Sequence, residues 1–143
     1  MTTQNLIRVR WTTRSDMPKL MEIEDSKDLY RWNEKDFITT LGQPQSFGKM
    51  AILENKIIGH IIYKFNRDHC EILNIVVDLD YRRMSVASRF INDLKKKSNR
   101  IKARVDETNL TAQLFLKSHG FKVIKTDNHY YENGDDSYLF FYD

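Results

Sequence analysis

Apolar and basic residues alternate through Leu6-Ile7-Arg8-Val9-Arg10-Trp11, the period of a half-buried strand. Ser15 followed by Asp16, Met17 and Pro18 is a helix-start signal, and Leu20, Met21 and Ile23 supply that helix with an apolar stripe. Asn33 is placed to cap a second short helix, Glu34 to Thr40, with Phe37 and Leu41 one turn apart. Beyond Gly42 and Pro44 the period becomes strand-like. Lys49 to Leu53, a turn at Glu54-Asn55-Lys56, and Ile57 to Phe65 predict a hairpin. Arg67-Asp68-His69 makes the next turn, and Cys70 to Asp78 predicts an apolar strand covered on both faces.

The polar loop Asp78 to Arg83 leads into a helix from about Ser85, whose Val86, Phe90, Ile91 and Leu94 recur at helical spacing. Lys95-Lys96-Lys97 places cations where the helix dipole favours them and predicts a solvated end. Ile101 to Val105 is a further strand. Asn109 caps a helix carrying Leu110, Leu114 and Phe115, which Gly120 closes in the left-handed conformation. Phe121 to Ile124 and Tyr138 to Tyr142 are two closing strands. The order β-α-α-β-β-β-α-β-α-β-β predicts an α/β chain, a mixed sheet with helices on its faces.

Composition narrows the class. A chain of 143 residues suits one domain over residues 1–143, and 41% hydrophobic with 30% charged residues is a soluble globular balance. The net charge of +3 suits an anionic cofactor, but the basic residues are dispersed among twenty acids, so no nucleic-acid partner is expected. Cys70 is the single cysteine, which excludes an intrachain disulfide and a cysteine zinc cluster. His60, His69, His119 and His129 lack metal-ligand spacing, so no metal is expected. Met1 to Asn5 is polar with no signal-length apolar stretch after it, and no run approaches a membrane span. A cytoplasmic domain with no membrane partner, monomeric or homodimeric, is the expectation.

The segment from Cys70 through the helix at Ser85 carries the chemistry. A helix entered from a buried strand points free N–H groups at whatever lies over the loop, and its dipole favours a diphosphate there. Ser85, Ala87 and Ser88 are small enough for close backbone approach, and Arg82 and Arg83 add positive charge. On these residues alone, an ordinary strand-to-helix turn with solvated arginines is an equal reading. Arg82-x-x-Ser85-x-Ala87 in this setting resembles the acetyl-CoA motif of the GNAT (GCN5-related N-acetyltransferase) superfamily, usually written Gln/Arg-x-x-Gly-x-Gly/Ala. Asn109-Leu110-Thr111-Ala112 with Phe115, Gly120 and Phe121 resembles that family's second motif. Trp32 to Phe37, Glu71 to Val77 and His129-Tyr130-Tyr131 extend the likeness toward its RimI group, the ribosomal-protein-alanine N-acetyltransferases.

That resemblance implies a central, mixed, mostly antiparallel sheet of six to seven strands flanked by about four helices. It implies acetyl-CoA as co-substrate. Ile75, Val76 and Val77 would offer strand backbone to the acetyl carbonyl and pantetheine arm. Arg82, Arg83, Met84, Ser85, Val86, Ala87 and Ser88 would hold the diphosphate, with Asn109 and Phe115 on the coenzyme arm from the second helix. Ser85 departs from the family's glycine; serine fits if its backbone stays helical, whereas a left-handed conformation would be costly.

The catalytic positions depart further. RimI-like enzymes carry a glutamate where Arg104 stands and a tyrosine general acid where Leu116 stands. Arginine cannot act as a base near neutral pH, and leucine has no proton to give. Glu71 sits where the GCN5 histone acetyltransferases place their base; it is either that base, acting through water, or an edge glutamate paired with a lysine. Tyr130 and Tyr131 are candidates for an acid or a substrate clamp, or for packing, and Asp106 and Glu107 for holding a cationic acceptor. Two functions fit: an N-acetyltransferase acting on a primary amine, either a protein N-terminus or a small-molecule amine, or an acetyl-CoA-binding module without activity.

Overall fold

A computed structural model describes residues 6–83 and 85–143. The expectation for Met84 lies outside the described residues. Seven strands form one sheet in the order β1-β2-β3-β4-β5-β7-β6. They are β1 Arg8–Trp11, β2 Ser46–Leu53, β3 Lys56–Phe65, β4 Cys70–Val77, β5 Ile101–Asp106, β6 Lys122–Asp127 and β7 Ser137–Tyr142. The helices are α1 Met17–Glu24, α2 Glu34–Leu41, α3 Val86–Lys95 and α4 Leu110–Ser118. Every neighbouring pair is antiparallel except β4 and β5. The mixed, mostly antiparallel sheet and four flanking helices expected from the sequence are present.

Each face of the sheet has its own core. Against one face, α3 buries Val86, Phe90, Ile91 and Leu94 on Ile58, Ile61, Tyr63 and Ile101. Against the other, α1 and α2 bury Leu20 and Phe37 on Met50 and Ile62. The apolar spacing of α3 therefore reads correctly from sequence. So does the α2 cap: Asn33 Oδ1 accepts from Asp36 N at 2.8 Å while Asn33 N donates to Asp36 Oδ2 at 2.8 Å. Glu54 and Asn55 both take positive φ, the twist a tight hairpin needs, and Gly120 closes α4 at φ +87°.

Several local expectations are corrected. Strand β1 is an edge strand, exposed except around Val9, and Trp11 is 52% exposed. At α1 a 3₁₀ turn over Arg14–Asp16 comes first, and Asp16 rather than Ser15 organises it. Asp16 accepts from Thr13 N at 2.7 Å and from both terminal nitrogens of Arg10 at 2.8 Å. The α4 residues facing the sheet are Gln113 and Leu116, while Leu110 and Leu114 point outward, 61% and 57% exposed. Of the three lysines at the end of α3, Lys96 and Lys97 are exposed, but Lys95 is engaged: it donates to His119 O at 2.6 Å and lies over the Tyr142 ring.

Two features open the sheet. Parallel pairing of β4 with β5 covers only Cys70–Ile101, Glu71–Lys102 and Ile72–Ala103. The next residue, Leu73, is the extra one of a β-bulge, because Ile72 pairs with Tyr63 and Asn74 with Ile62. A bulge bends its strand and adds twist, so β4 leaves β5 where the pairing stops. Gly59 of β3, opposite Val77, lets the start of α3 approach that end of the sheet. A Cβ on Gly59 would sit 3.0 Å from Val76 O and 3.2 Å from Val86 Cγ1. Gly59→Ala is expected to lower stability by about 1–3 kcal/mol through that overpacking, read as a fall in the urea unfolding midpoint.

Candidate functional site

The wedge between the parting strands is the candidate site. Beyond Ile72 and Ala103, residues 73–77 of β4 carry peptide groups on the edge toward β5 with no strand partner there. Ile75, Val76 and Val77 occupy this edge and lead into the loop at Asp78, whose N–H donates to Ile58 O at 2.8 Å. Asp78 Oδ1 accepts from Asp80 N at 3.0 Å, turning the chain through a 3₁₀ turn at Leu79–Tyr81. Arg82 Nε then reaches back to Val77 O at 3.5 Å.

The loop ends in two residues with left-handed backbones, Arg83 at φ 66° and Ser85 at φ 63°. Ser85 is the N-cap of α3 and its side chain makes no capping bond. The helical backbone under which serine would fit without cost is therefore not adopted. Arg89 is the first residue to donate within α3, to Ser85 O at 3.0 Å. Helix geometry leaves the N–H groups of Val86, Ala87 and Ser88 directed out over the loop. Arg82, Arg83 and Ser85 are exposed beside them. These small residues, free donors and cations fit a diphosphate.

Helix α4 flanks this cradle. Asn109 Oδ1 accepts from Ala112 N at 3.1 Å, so the side chain is first a helix cap, with its amide N–H₂ left over. Phe115 is half-buried, its ring 4.7 Å from that of His119. His119 Nε2 in turn lies 2.9 Å from Ser88 Oγ and ties α4 to the first turn of α3. Leu116, at the position of the family's tyrosine acid, is packed into the core.

The other side of the wedge is organised by Glu24, a residue the sequence reading missed. Its carboxylate is 0% exposed. It accepts from Lys27 Nζ at 2.8 Å, from Trp32 N at 2.8 Å and from Asn74 Nδ2 at 3.1 Å. Lys27 also reaches Asn74 Oδ1 at 3.2 Å and Tyr30 O at 3.1 Å. Burial alone would push this carboxyl up, but the His60 ring, then Lys27 and the Trp32 N–H, outweigh it and hold it well below the usual range. His60 Nε2 lies 3.5 Å from Glu24 Oε1, and burial pushes the ring's own pKa down, so it faces the carboxylate as a neutral imidazole. The signal in sequence is slight: a glutamate three residues before a lysine, at the end of a helix.

Glu24 thereby shapes the loop that presents Tyr30. The Tyr30 hydroxyl donates to Asp106 Oδ2 at 2.5 Å, and its ring stacks on Tyr131 at 4.2 Å. Tyr131 meets Tyr130 edge-on at 5.0 Å, and the Arg104 guanidinium lies 4.2 Å over the Tyr130 ring. Tyr130 and Tyr131 thus stand together at the end of β5. Desolvation first, then the charge on Asp106, push the Tyr131 phenol up, so it is protonated at neutral pH. Asp106 is buried and also accepts from Thr108 N and Oγ1 at 2.8 Å, which makes it more than a solvated loop acid. Arg104 Nη1 is held by Asp127 at 2.7 Å and Ser137 Oγ at 2.6 Å.

Glu71 lies in the stretch where β4 is still paired, between Lys64 of β3 and Lys102 of β5, half-buried, three residues before Asn74. The structure therefore runs Ile75 to Ser88 (Met84 aside) from the open strand edge into α3, sets Phe115 beside its first turn through His119 and Ser88, keeps Asn109 at the other end of α4, and stands Tyr130 and Tyr131 at the end of β5. It leaves Glu71 further down the strand.

Two outcomes follow. Removing the left-handed strain by Ser85→Gly is expected to raise stability by about 1 kcal/mol, measured as a higher denaturation midpoint. Glu24 is depressed in the fold, so its contribution is complete above its ordinary pKa of 4.5 and is lost as pH falls below it. Acid unfolding followed by circular dichroism should show that loss, and Glu24→Gln should flatten the curve between about pH 5 and 2 at lower overall stability.

The profile of the acetyltransferase (GNAT) family matches residues 15–121. Sequence comparison with curated proteins finds no significant match. Among solved structures, the ribosomal-protein-S18-alanine N-acetyltransferase from Escherichia coli superposes with a TM-score of 0.83 at 22% identity, covering 95% of this chain and 92% of that one. Arabidopsis thaliana NAA60 in complex with acetyl-CoA gives 0.82 at 20% identity, over 95% and 97%. Arabidopsis thaliana Naa50 in complex with the bisubstrate analogue CoA-Ac-MVNAL gives 0.81 at 20% identity, over 96% and 99%. At these identities the superpositions speak for the fold. The family profile spans well over half of the chain, and the chain belongs to the acetyltransferase (GNAT) family.

Proposed function

We propose that this chain is an N-acetyltransferase that moves an acetyl group from acetyl-CoA directly to a primary amine, with a protein N-terminal α-amine as the favoured acceptor. The observation that carries the reading is the wedge beside the α3 cradle: strand edge and helix N-terminus open into one another. Solved relatives with this fold hold acetyl-CoA or a CoA–peptide bisubstrate analogue, which supports both the co-substrate and a peptide acceptor.

Val86, Ala87 and Ser88 would hold the diphosphate through main-chain N–H groups, with Arg82 and Arg83 as counter-charges and Ser85 at the cap. Ile75, Val76 and Val77 would align the arm, and an N–H of that edge would polarise the thioester carbonyl. Asn109 and Phe115 would border the arm from α4. Bound acetyl-CoA supplies an activated acyl group, so the protein's part is alignment and proton handling. On the acceptor side Tyr30, Tyr130 and Tyr131 would frame the entering amine. Tyr131 holds a proton for the leaving thiolate, and Asp106, Glu107, Asp135 and Asp136 draw a cation. Glu71 remains the base proposed for the amine, reached through water.

A second reading, a CoA-binding module without transfer, is favoured by two positions. Leu116 is buried in the core, and Arg104 is tied to Asp127 and Ser137.

Calorimetric titration with acetyl-CoA, followed in the same samples by thiol release against N-terminal peptides and small amines, separates the readings. Saturable one-to-one binding with release on a peptide amine is the expected result. Glu71→Gln should then slow release at least tenfold while leaving binding intact. Release on small amines alone would move the acceptor, and binding without release on any amine would establish the module. No binding would overturn both.

A further inference from the structure

Under the C-terminal half of α3, away from the wedge, the sheet carries a second cluster of reactive groups. Trp11 of β1 and Lys49 of β2 are cross-strand neighbours, and Lys49 pairs onward with Ile61 of β3. Lys97, just past α3, reaches the same indole. Lys49 Nζ lies 4.5 Å and Lys97 Nζ 4.9 Å from the Trp11 ring centroid. The ring attracts each ammonium, but it does not neutralise either, and the two cations repel.

The surroundings offer Lys49 little relief. Ile61, Phe90 and Leu94 wall a cavity of about 10 Å³ beside it, room for one water molecule at most. Tyr63 also faces this cavity, and its hydroxyl is buried without a hydrogen-bond partner. From α3, Asp93 is the nearby carboxylate, but it is engaged by Arg89 Nε at 3.2 Å, and Arg89 brings a further positive charge. The facing charged and titratable groups are therefore Lys97, Arg89, Asp93 and Tyr63, with β1 contributing only the indole. Desolvation, then the neighbouring Lys97, bring the Lys49 amine down to about 8. Lys97 also borders the open cavity at the β3–β4 turn, and its contact with Lys49 pushes its own amine up, so it stays protonated.

We propose that Lys49 is a site of spontaneous acylation: its amine, pressed against Lys97 on the Trp11 ring, reacts directly with activated acyl donors, thioesters and acyl phosphates. The neutral amine attacks the acyl carbon. The C–N bond forms as the C–S or C–O bond to the donor breaks. The thiolate or phosphate leaves with the electron pair, and the amine proton passes to solvent. The amide product carries no charge, so acylation removes the repulsion with Lys97. This chemistry needs neither the wedge nor the cradle, so it stands apart from the transferase reading.

Initial acetylation rates at each lysine, measured by peptide mass spectrometry with acetyl phosphate as donor from pH 7 to 10.5, test it. At pH 8 about half of Lys49 is neutral, against under about 1% of a free lysine. Lys49 is expected to react about tenfold faster than exposed Lys35 and Lys122, allowing for its lower basicity. Its rate should level off near pH 8 while theirs climb past pH 10, and Lys97→Gln should cut its advantage and move the plateau to higher pH, with the part due to burial kept. A Lys49 rate at or below those of Lys35 and Lys122 at pH 8, or an advantage and plateau unchanged by Lys97→Gln, would overturn the proposal.

Discussion

The short parallel contact between β4 and β5 governs this molecule. Three residue pairs hold the two halves of the sheet together, and then the Leu73 bulge turns β4 aside. A strand edge with unpaired peptide groups is costly inside a protein unless something fills it. Here the open edge is bordered on one side by a helix N-terminus and on the other by a tyrosine-lined loop. A long, flexible, anionic co-substrate with a reactive end matches that space. Had β4 and β5 stayed paired to their ends, the same seven strands would form a closed sheet with no cleft.

Holding the wedge open requires support on both faces. On the α1 face, buried Glu24 binds Lys27, Asn74 and the Trp32 N–H, so one anion ties helix, loop and bulged strand together. A buried carboxylate with three donors is tolerated because both of its oxygens are hydrogen-bonded, and breaking the set leaves a charge stranded. On the α3 face, Gly59 lets Val86 close over the strand end, which brings the helix N-terminus to the wedge. The two sides also differ in charge. Arg82 and Arg83 stand by the cradle, while Asp106, Glu107, Asp135 and Asp136 cluster opposite. There Asp135 is pushed up by its contact with Asp106, and Glu107 by desolvation and Asp136. Under the proposed function, an anionic co-substrate and a cationic acceptor would be drawn to opposite sides of one opening.

Much of the cradle was legible in the residues. The apolar spacing of α3, the asparagine caps of α2 and α4, and the small residues after Arg83 all lie where local rules place them. The backbone at Ser85 was not legible. Serine is compatible with either conformation, and only the need to lead the chain from β4 into α3 selects the left-handed one at a cost. The acceptor side was half legible. Tyr130 and Tyr131 stood out as aromatics in a turn, but Tyr30, which stacks on Tyr131 and binds Asp106, carries no local signal because Asp106 is 76 residues away along the chain and Tyr131 further still. Leu110 and Leu114 misled for the opposite reason. Leucines four apart imply a buried stripe, yet α4 sits so that Gln113 faces the sheet and donates to Glu107 O at 2.9 Å.

The sequence by itself determined the elements, their order and the chemistry of the α3 entry. Periodicity, capping and turn formation depend on residues within a few positions of one another, and the chain displays those directly. Tertiary structure alone decided where β4 parts from β5, which carboxylate is buried, and which lysines share an aromatic ring. Each of these depends on register between strands, or on contacts between segments far apart in the chain. A one-residue bulge redirects a strand without any mark in its composition, because the extra residue is extra only relative to its partner.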